Sequence, residues 1–120
     1  RLGSYQYGDA GVDNLVGPHA SPALRAMLVE VARGTQAAGL LRAVSFRLSG
    51  FYTPDFAAAL TMPVLLVQGS EDQTNPRQEN ADLLLPQLPN GRLVELPGIG
   101  HLPEAEAPEA FNTLVRDFST

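Results

Sequence analysis

Cysteine and lysine are both missing from this chain of 120 residues. Without cysteine, disulfide bonds, thiolate catalysis and cysteine-ligated metal sites are excluded. All eight basic residues are arginines, and the formal net charge is −5. That charge disfavours a nucleic-acid partner, because binding to phosphates requires clustered positive charge. No run of about 18 apolar residues is present, so the sequence predicts no membrane-spanning helix.

The composition that remains is typical of a folded domain. Hydrophobic residues make up 44% of the chain and charged residues 18%, which is a globular rather than a disordered balance. The length is that of one ordinary domain. Because no apolar segment follows Arg1, no intact signal peptide is visible, and the default expectation is a cytoplasmic location.

The first half of the chain is predicted to be helical after an irregular start. Residues 1–20 show no clear period and are predicted to be loop. Helices are predicted over about 21–34, 35–50 and 55–60, from apolar residues at helical spacing. A Ser-Pro pair begins the first of these and a Thr-Pro pair precedes the last, as is usual where a cap is followed by proline.

The second half has a different pattern, alternating strands with helices. Val64–Val67 is apolar on both faces, as in a buried strand of a parallel sheet, and a second strand is predicted over residues 93–96. A helix is predicted between them over residues 76–85, and a last helix begins at Pro108. We therefore expect an α/β architecture with two parallel strands and flanking helices. The expected division is a cap-like helical region over 1–57 and an αβαβ unit over 58–120.

Asp72 and His101 are the candidate catalytic residues. Each follows a predicted strand, at a turn that contains glycine. Open α/β sheets bind their ligands at the carboxyl ends of parallel strands, and we expect both side chains there. A neutral imidazole can accept a proton from a hydroxyl group, and a carboxylate on its other ring nitrogen fixes the tautomer. The two residues together thus supply the acid and base of a hydrolase triad.

Each candidate also has a simpler interpretation. Asp72 is at a position where a turn or N-cap carboxylate is common, and His101 could be a surface histidine before the last helix. Glu71 is a possible substitute for the acid, although the spacing from Gly69 favours Asp72. His19 is interpreted as a solvated loop residue. Two histidines so far apart in sequence do not predict a metal site, and no cofactor is expected.

Two further groups of residues are given structural interpretations. Five aromatic residues could line a substrate pocket but more often belong to a core: Tyr5, Tyr7, Phe51, Tyr52 and Phe56. Three carboxylates cluster around the start of the last helix: Glu104, Glu106 and Glu109. Negative charge near a helix N-terminus stabilises the helix dipole, and no catalytic role is assigned to them.

Residues 58–119 resemble the carboxyl-terminal part of the α/β-hydrolases. The segment 60–76 is similar to that family's penultimate strand, in which an apolar run leads to a G-x-x-D turn and then to proline. The segment 88–96 is similar to the approach to the last strand. The segment 99–111, with its Gly-His pair and later Glu-Ala-Pro-Glu-Ala-Phe, is similar to the catalytic-histidine loop and closing helix.

The resemblance implies a triad of which this sequence holds two members. Asp72 matches the acid and His101 the base, and in this family the nucleophile precedes both, in a G-x-S-x-G elbow. No G-x-S-x-G occurs in the sequence. The expectation is therefore the carboxyl-terminal part of a longer or two-chain hydrolase, inactive without a complementary amino-terminal segment. Its substrate would be a small ester, lactone, amide or related carbonyl compound.

Two alternatives remain open. A hydrolase-fold module without a nucleophile could bind a ligand or a protein partner without catalysing a reaction. Alternatively, an aspartate at the elbow would make the complete protein a dehalogenase or epoxide hydrolase, families that resemble this region equally well. The missing segment decides between these possibilities and the serine-type hydrolase.

Overall fold

The computed structural model describes residues 11–34 and 54–120 of the chain. The helix predicted over 35–50 lies outside these ranges. After a helical stretch at residues 11–15, the helices are α1 (Pro22–Gly34), α2 (Pro54–Ala58), α3 (Ala81–Leu84), α4 (Pro103–Glu106) and α5 (Pro108–Ser119), and the described strands are β1 (Val64–Gly69) and β2 (Gly91–Leu96). This order confirms the predicted α/β class with two strands and flanking helices.

The two strands form a parallel sheet. The register pairs Val64 with Gly91 at one end and Gly69 with Leu96 at the other. Both strands are two residues or so longer than the apolar runs that predicted them. Because they are parallel, the loops that follow Gly69 and Leu96 leave the sheet at the same edge. This edge is where the turn with Asp72 and the loop with His101 lie.

The connection between the strands is less regular than the sequence indicates. The predicted helix over 76–85 is wrong as a single element: residues Arg77–Glu79 and Leu85–Gln87 are 3₁₀ turns on either side of the short α3. Asn80 interrupts the first boundary with φ −132° and ψ −79°. Pro86 contributes to the second, since proline has no N–H to donate within a helix.

Arg77 ties this connection to the sheet. Its guanidinium donates hydrogen bonds to Asp82 at 2.9 Å and to Glu95 on β2 at 3.0 Å. The hydrogen bond to Asp82 is the larger cause, and that to Glu95 the next, of a pKa of Arg77 raised above its usual value. The group is solvent-exposed, so this contact contributes little to stability.

Residues 11–15 are helical, which corrects the prediction that residues 1–20 are irregular. Val12 within this stretch and Val16 just after it are 2% and 5% exposed. The backbone oxygen of Leu15 accepts a hydrogen bond from the His101 amide at 2.8 Å. The segment therefore packs under the loop that carries His101. Its two valines were too few to define a period in the sequence.

The closing helices follow the last strand. The stripe of apolar residues after Pro108 correctly predicted α5, whereas α4 was not predicted. Ala107, with φ −138° and ψ 60°, separates the two helices. Both begin with proline at the first positions, where its missing N–H leaves no intrahelical bond unmade.

Few side chains in the described part of the chain are fully buried. The buried apolar residues are Val12, Val16, Ala57, Ala81 and Leu88. Val64–Val67, predicted as a strand covered on both faces, is only half-buried. Among the helices of residues 11–34 and 54–120, none combines the length and hydropathy that crossing a membrane requires.

Candidate active site

The turn after β1 holds Asp72 rigidly. Its Oδ1 accepts hydrogen bonds from the backbone N–H groups of Thr74 at 2.9 Å and Asn75 at 2.8 Å. The side chain is 8% exposed. A carboxylate oxygen that accepts two backbone hydrogen bonds is held in one orientation. This leaves Oδ2 as the oxygen available to a further partner.

Gln68 supports this turn from the end of β1. It is the one buried polar residue of the described chain, at 7% exposure. Its amide nitrogen donates to the backbone oxygens of Gly69 at 3.1 Å and Asn75 at 3.2 Å, and lies 3.4 Å from Asp72 Oδ2. The first two contacts close the turn, since they join its beginning to its end.

The loop after β2 is tied to the acid turn by two hydrogen bonds. The Gly98 amide donates to Ser70 Oγ at 2.8 Å, and the Glu71 amide donates to the backbone oxygen of Ile99 at 2.9 Å. Gly98 has φ +73°, a conformation that other residues rarely adopt. These contacts fix the loop's direction immediately before His101.

Asp72 and His101 meet directly. Asp72 Oδ2 and His101 Nδ1 are 2.9 Å apart. Since an ionised carboxylate can only accept, Nδ1 carries the hydrogen of this bond, and in the neutral ring Nε2 then has a free lone pair. No group of residues 11–34 and 54–120 hydrogen-bonds to Nε2. The imidazole, 29% exposed, is thus oriented with one nitrogen on the aspartate and the other open.

Glu106 was not predicted to belong to this site. Its Oε1 accepts from the amides of Gly100 at 3.0 Å and Leu102 at 3.4 Å, and its Oε2 from the Gly17 amide at 2.7 Å. The sequence suggested only a helix-dipole role for it. Gly17 lies 89 positions away in sequence, so no local pattern could have indicated the contact.

Gly69 and Gly100 allow the backbones around the site to approach one another. A Cβ on Gly100 would lie 2.5 Å from Gly17 N and 2.5 Å from Val16 C. A Cβ on Gly69 would collide with the backbone oxygens of Gly100 and Ile99. The end of β1, the His101 loop and the loop at residues 16–17 therefore pack in contact, with no space for side chains between them.

Among the described residues, the side chains of the other candidates make no hydrogen bond to this pair. Glu71 is exposed and directed to Ser70 Oγ at 3.4 Å, and His19 is exposed in its loop. Phe56 is 50% exposed and so belongs to neither a core nor an enclosed pocket. Tyr5, Tyr7, Phe51 and Tyr52 lie outside the described residues.

None of the described serines contacts His101. Ser21 Oγ accepts from the Leu24 amide at the start of α1, Ser70 Oγ accepts from Gly98, and Ser119 Oγ donates to backbone oxygens of α5. Within the same described ranges, no three His, Asp or Glu side chains gather closely enough to hold a metal ion. What the geometry offers chemically is an oriented imidazole with a partner carboxylate.

No family model and no curated protein matches the chain. Solved structures do match. An esterase from Thermogutta terrifontis superposes with a TM-score of 0.86 at 21% identity, over 98% of this chain and 44% of its own. A bromoperoxidase from Bacillus anthracis gives 0.78 at 19% identity, over 93% and 42%. An α/β-hydrolase from a Medee basin deep-sea metagenome library gives 0.70 at 22% identity, over 96% and 44%.

These likenesses show the fold. The chain has the architecture of the carboxyl-terminal part of an α/β-hydrolase, as the segments 60–76, 88–96 and 99–111 predicted. It spans less than half the length of each of these structures. The match covers nearly all of this chain, and the unmatched residues of the larger proteins lie in segments that have no counterpart in it.

Proposed function

We propose that this chain supplies the acid and base of a cofactor-independent, serine-type α/β-hydrolase that acts on a small ester, lactone, amide or related carbonyl compound. The observation that supports this most directly is the 2.9 Å contact between His101 Nδ1 and Asp72 Oδ2. It orients the imidazole so that Nε2 is the nitrogen able to take up a proton. The division into a cap-like region, 1–57, and a core unit, 58–120, is part of the same proposal.

The reaction would use His101 twice. As a serine hydroxyl attacks the substrate carbonyl, Nε2 accepts the hydroxyl proton, and Asp72 stabilises the imidazolium that forms. The imidazolium then returns this proton to the leaving group as the carbonyl re-forms. Water then attacks the acyl-enzyme, and the same nitrogen takes its proton and returns it to the serine oxygen as the acyl group leaves. Asp72 keeps its charge throughout, because its role is to orient and to stabilise.

The serine would come from a complementary segment of the hydrolase fold. The hydroxyl groups of the described serines already take part in hydrogen bonds elsewhere in the chain, and the sequence has no G-x-S-x-G. The surface of this chain supports such a partner. Val64–Val67 has only β2 beside it among the described elements and is half-buried, and an unpaired strand edge readily pairs with another strand.

The similarity to an esterase agrees with this substrate class. A bromoperoxidase and an esterase both share the fold, however, and a fold does not determine which reaction takes place. The proposal therefore depends on the geometry at His101 and on the nucleophile supplied to it.

The test is an esterase assay with and without the complementary segment. The chain alone, and the chain expressed with the polypeptide encoded directly upstream of residue 1, are assayed with p-nitrophenyl acetate. We expect turnover only from the combination, and its loss in His101→Ala. His19→Ala is the matched control, because His19 is the other histidine of the chain and is solvent-exposed; it should retain activity.

Each of the other outcomes would support a different function for this protein. Turnover by the chain alone that His101→Ala abolishes would contradict the missing nucleophile. An aspartate in place of the elbow serine, with activity on haloalkanes or epoxides, would replace the serine mechanism by an ester intermediate on aspartate. A combination that binds substrate analogues and hydrolyses none would identify a binding module.

A further inference from the structure

We propose that Glu106 is a positioning residue for His101, holding the histidine loop in place through backbone amides on both sides of it. The proposal rests on the proposed function for its catalytic consequence. Its physical content, that the orientation of the His101 ring depends on the Glu106 carboxylate, can be measured without turnover.

Glu106 accepts hydrogen bonds from the residues on both sides of His101 in sequence. The amides of Gly100 and Leu102, one residue before and one after it, both donate to Glu106 Oε1. The amide of His101 itself donates to the Leu15 oxygen at 2.8 Å. Three consecutive N–H groups of the loop are therefore anchored, and Glu106 anchors two of them.

The same carboxylate joins the loop to a second segment. Glu106 Oε2 accepts from the Gly17 amide at 2.7 Å, the shortest of the three contacts. Gly17 follows Leu15 and Val16, which already pack beneath the loop. Glu106 thus connects residues 15–17, residues 100–102 and its own helix α4. A displacement of the carboxylate would remove the hydrogen bonds that hold the residues immediately before and after His101.

A carboxylate is the group this position requires. Both oxygens of Glu106 receive N–H donors, and an ionised carboxyl group has only acceptors. The amide of a glutamine would direct its NH₂ group at one of these donors, leaving that N–H unpaired in a half-buried site. Hydrogen bonds to a charged acceptor are also about twice as strong as neutral ones.

Glu106 acts on the backbone and not on the reaction itself. None of its hydrogen bonds reaches the His101 ring or Asp72. Two neighbouring glutamates provide matched controls, since Glu104 and Glu109 are both exposed and carry the same charge. Replacing any of the three by glutamine changes the net charge equally.

The test compares E106Q with E104Q and E109Q by NMR on the full chain. In E106Q we expect faster amide exchange on the side that faces the new NH₂ group, which is either Gly17 or the pair Gly100 and Leu102. The increase should be about 10- to 100-fold, as loss of hydrogen bonds to a charged group requires. We also expect the His101 ring to lose its fixed Nδ1–H tautomer and give averaged ring ¹⁵N shifts. E104Q and E109Q should leave both unchanged.

A merely structural role would move the exchange rates but not the ring. An unchanged Nδ1–H tautomer in folded E106Q would therefore overturn the proposal, as would wild-type amides at Gly17, Gly100 and Leu102 that exchange at unfolded-chain rates. The outcome is independent of the hydrolase assay: a protein that fails to hydrolyse esters but shows the E106Q effect on the ring loses the proposed function and keeps the positioning role.

Discussion

The carboxyl end of the sheet and the outer faces of the helices differ in the environment of their side chains. At the first, polar side chains have hydrogen-bond partners, and on the second, large apolar side chains are exposed. At the sheet end, Asp72, His101 and Glu106 all have hydrogen-bond partners within the chain. On the helices, large apolar side chains remain in solvent: Met27 is 53% exposed, Val31 62%, Val115 44% and Phe118 37%. The polar site is assembled, while much of the apolar surface is uncovered.

The two regions differ because they depend on different kinds of stabilising contact. The site is built from neighbouring loops, which are joined by hydrogen bonds that involve their backbone groups. A hydrophobic core needs apolar faces opposite one another, and an α/β sheet obtains them from helices on both sides of several strands. The described part of the chain has two strands, which place the polar side chains of one sheet edge but give little of the burial that a whole sheet gives.

The largest expected effect is on the chemistry of the site. When the chain is combined with the proposed complementary segment, Asp72→Asn should lower kcat for ester hydrolysis by about 10⁴-fold, because an amide facing Nδ1 favours the wrong tautomer. Asp117→Asn, an exposed control on α5, should leave kcat unchanged. Steady-state kinetics measures both. Equal activity of D72N and wild type would mean that the ordered end of the sheet has no part in catalysis.

The next effect contrasts buried and exposed leucines within one connection. Leu88 is 7% exposed and Leu83 61%. Leu88→Ala should reduce the free energy of unfolding by about 2–5 kcal/mol, through lost burial and a cavity. Leu83→Ala should change it by less than about 0.5 kcal/mol. Urea unfolding of the two variants tests this. Similar losses of stability in the two variants would show that the Leu83 side chain is also buried in solution.

Much of the fold followed from the sequence, because β1 and α5 have strong local patterns. Val64–Val67 is uninterrupted and apolar, and α5 has a full helical stripe. The Asp72–His101 contact was predictable for a related reason: two parallel strands that end together bring their following loops together. Residues 11–15 and the break at Asn80 were missed, since the first depends on packing under a distant loop and the second on backbone angles that the local apolar pattern did not reveal.

A smaller effect tests the close packing of backbones at the site. Gly100→Ala would place its Cβ 2.5 Å from Gly17 N, and should destabilise the chain by about 1–3 kcal/mol as an overpacked position does. Gly34→Ala is the control, since nothing lies within 4 Å of its Cβ; it should stabilise the chain by about 0.4–1 kcal/mol. Thermal unfolding compares them. Stabilisation by both would contradict the contact between residues 16–17 and the His101 loop.

The most direct measurement is the tautomer of His101 in the wild-type chain, read from long-range ¹H–¹⁵N NMR of the two histidine rings. The account predicts that the neutral form of the His101 ring carries its hydrogen on Nδ1, with a downfield Nδ1–H signal that disappears in Asp72→Asn, beside a His19 ring with no fixed tautomer. A neutral His101 ring with its hydrogen on Nε2, or one that behaves like His19, would contradict the pairing on which the proposed proton transfer depends.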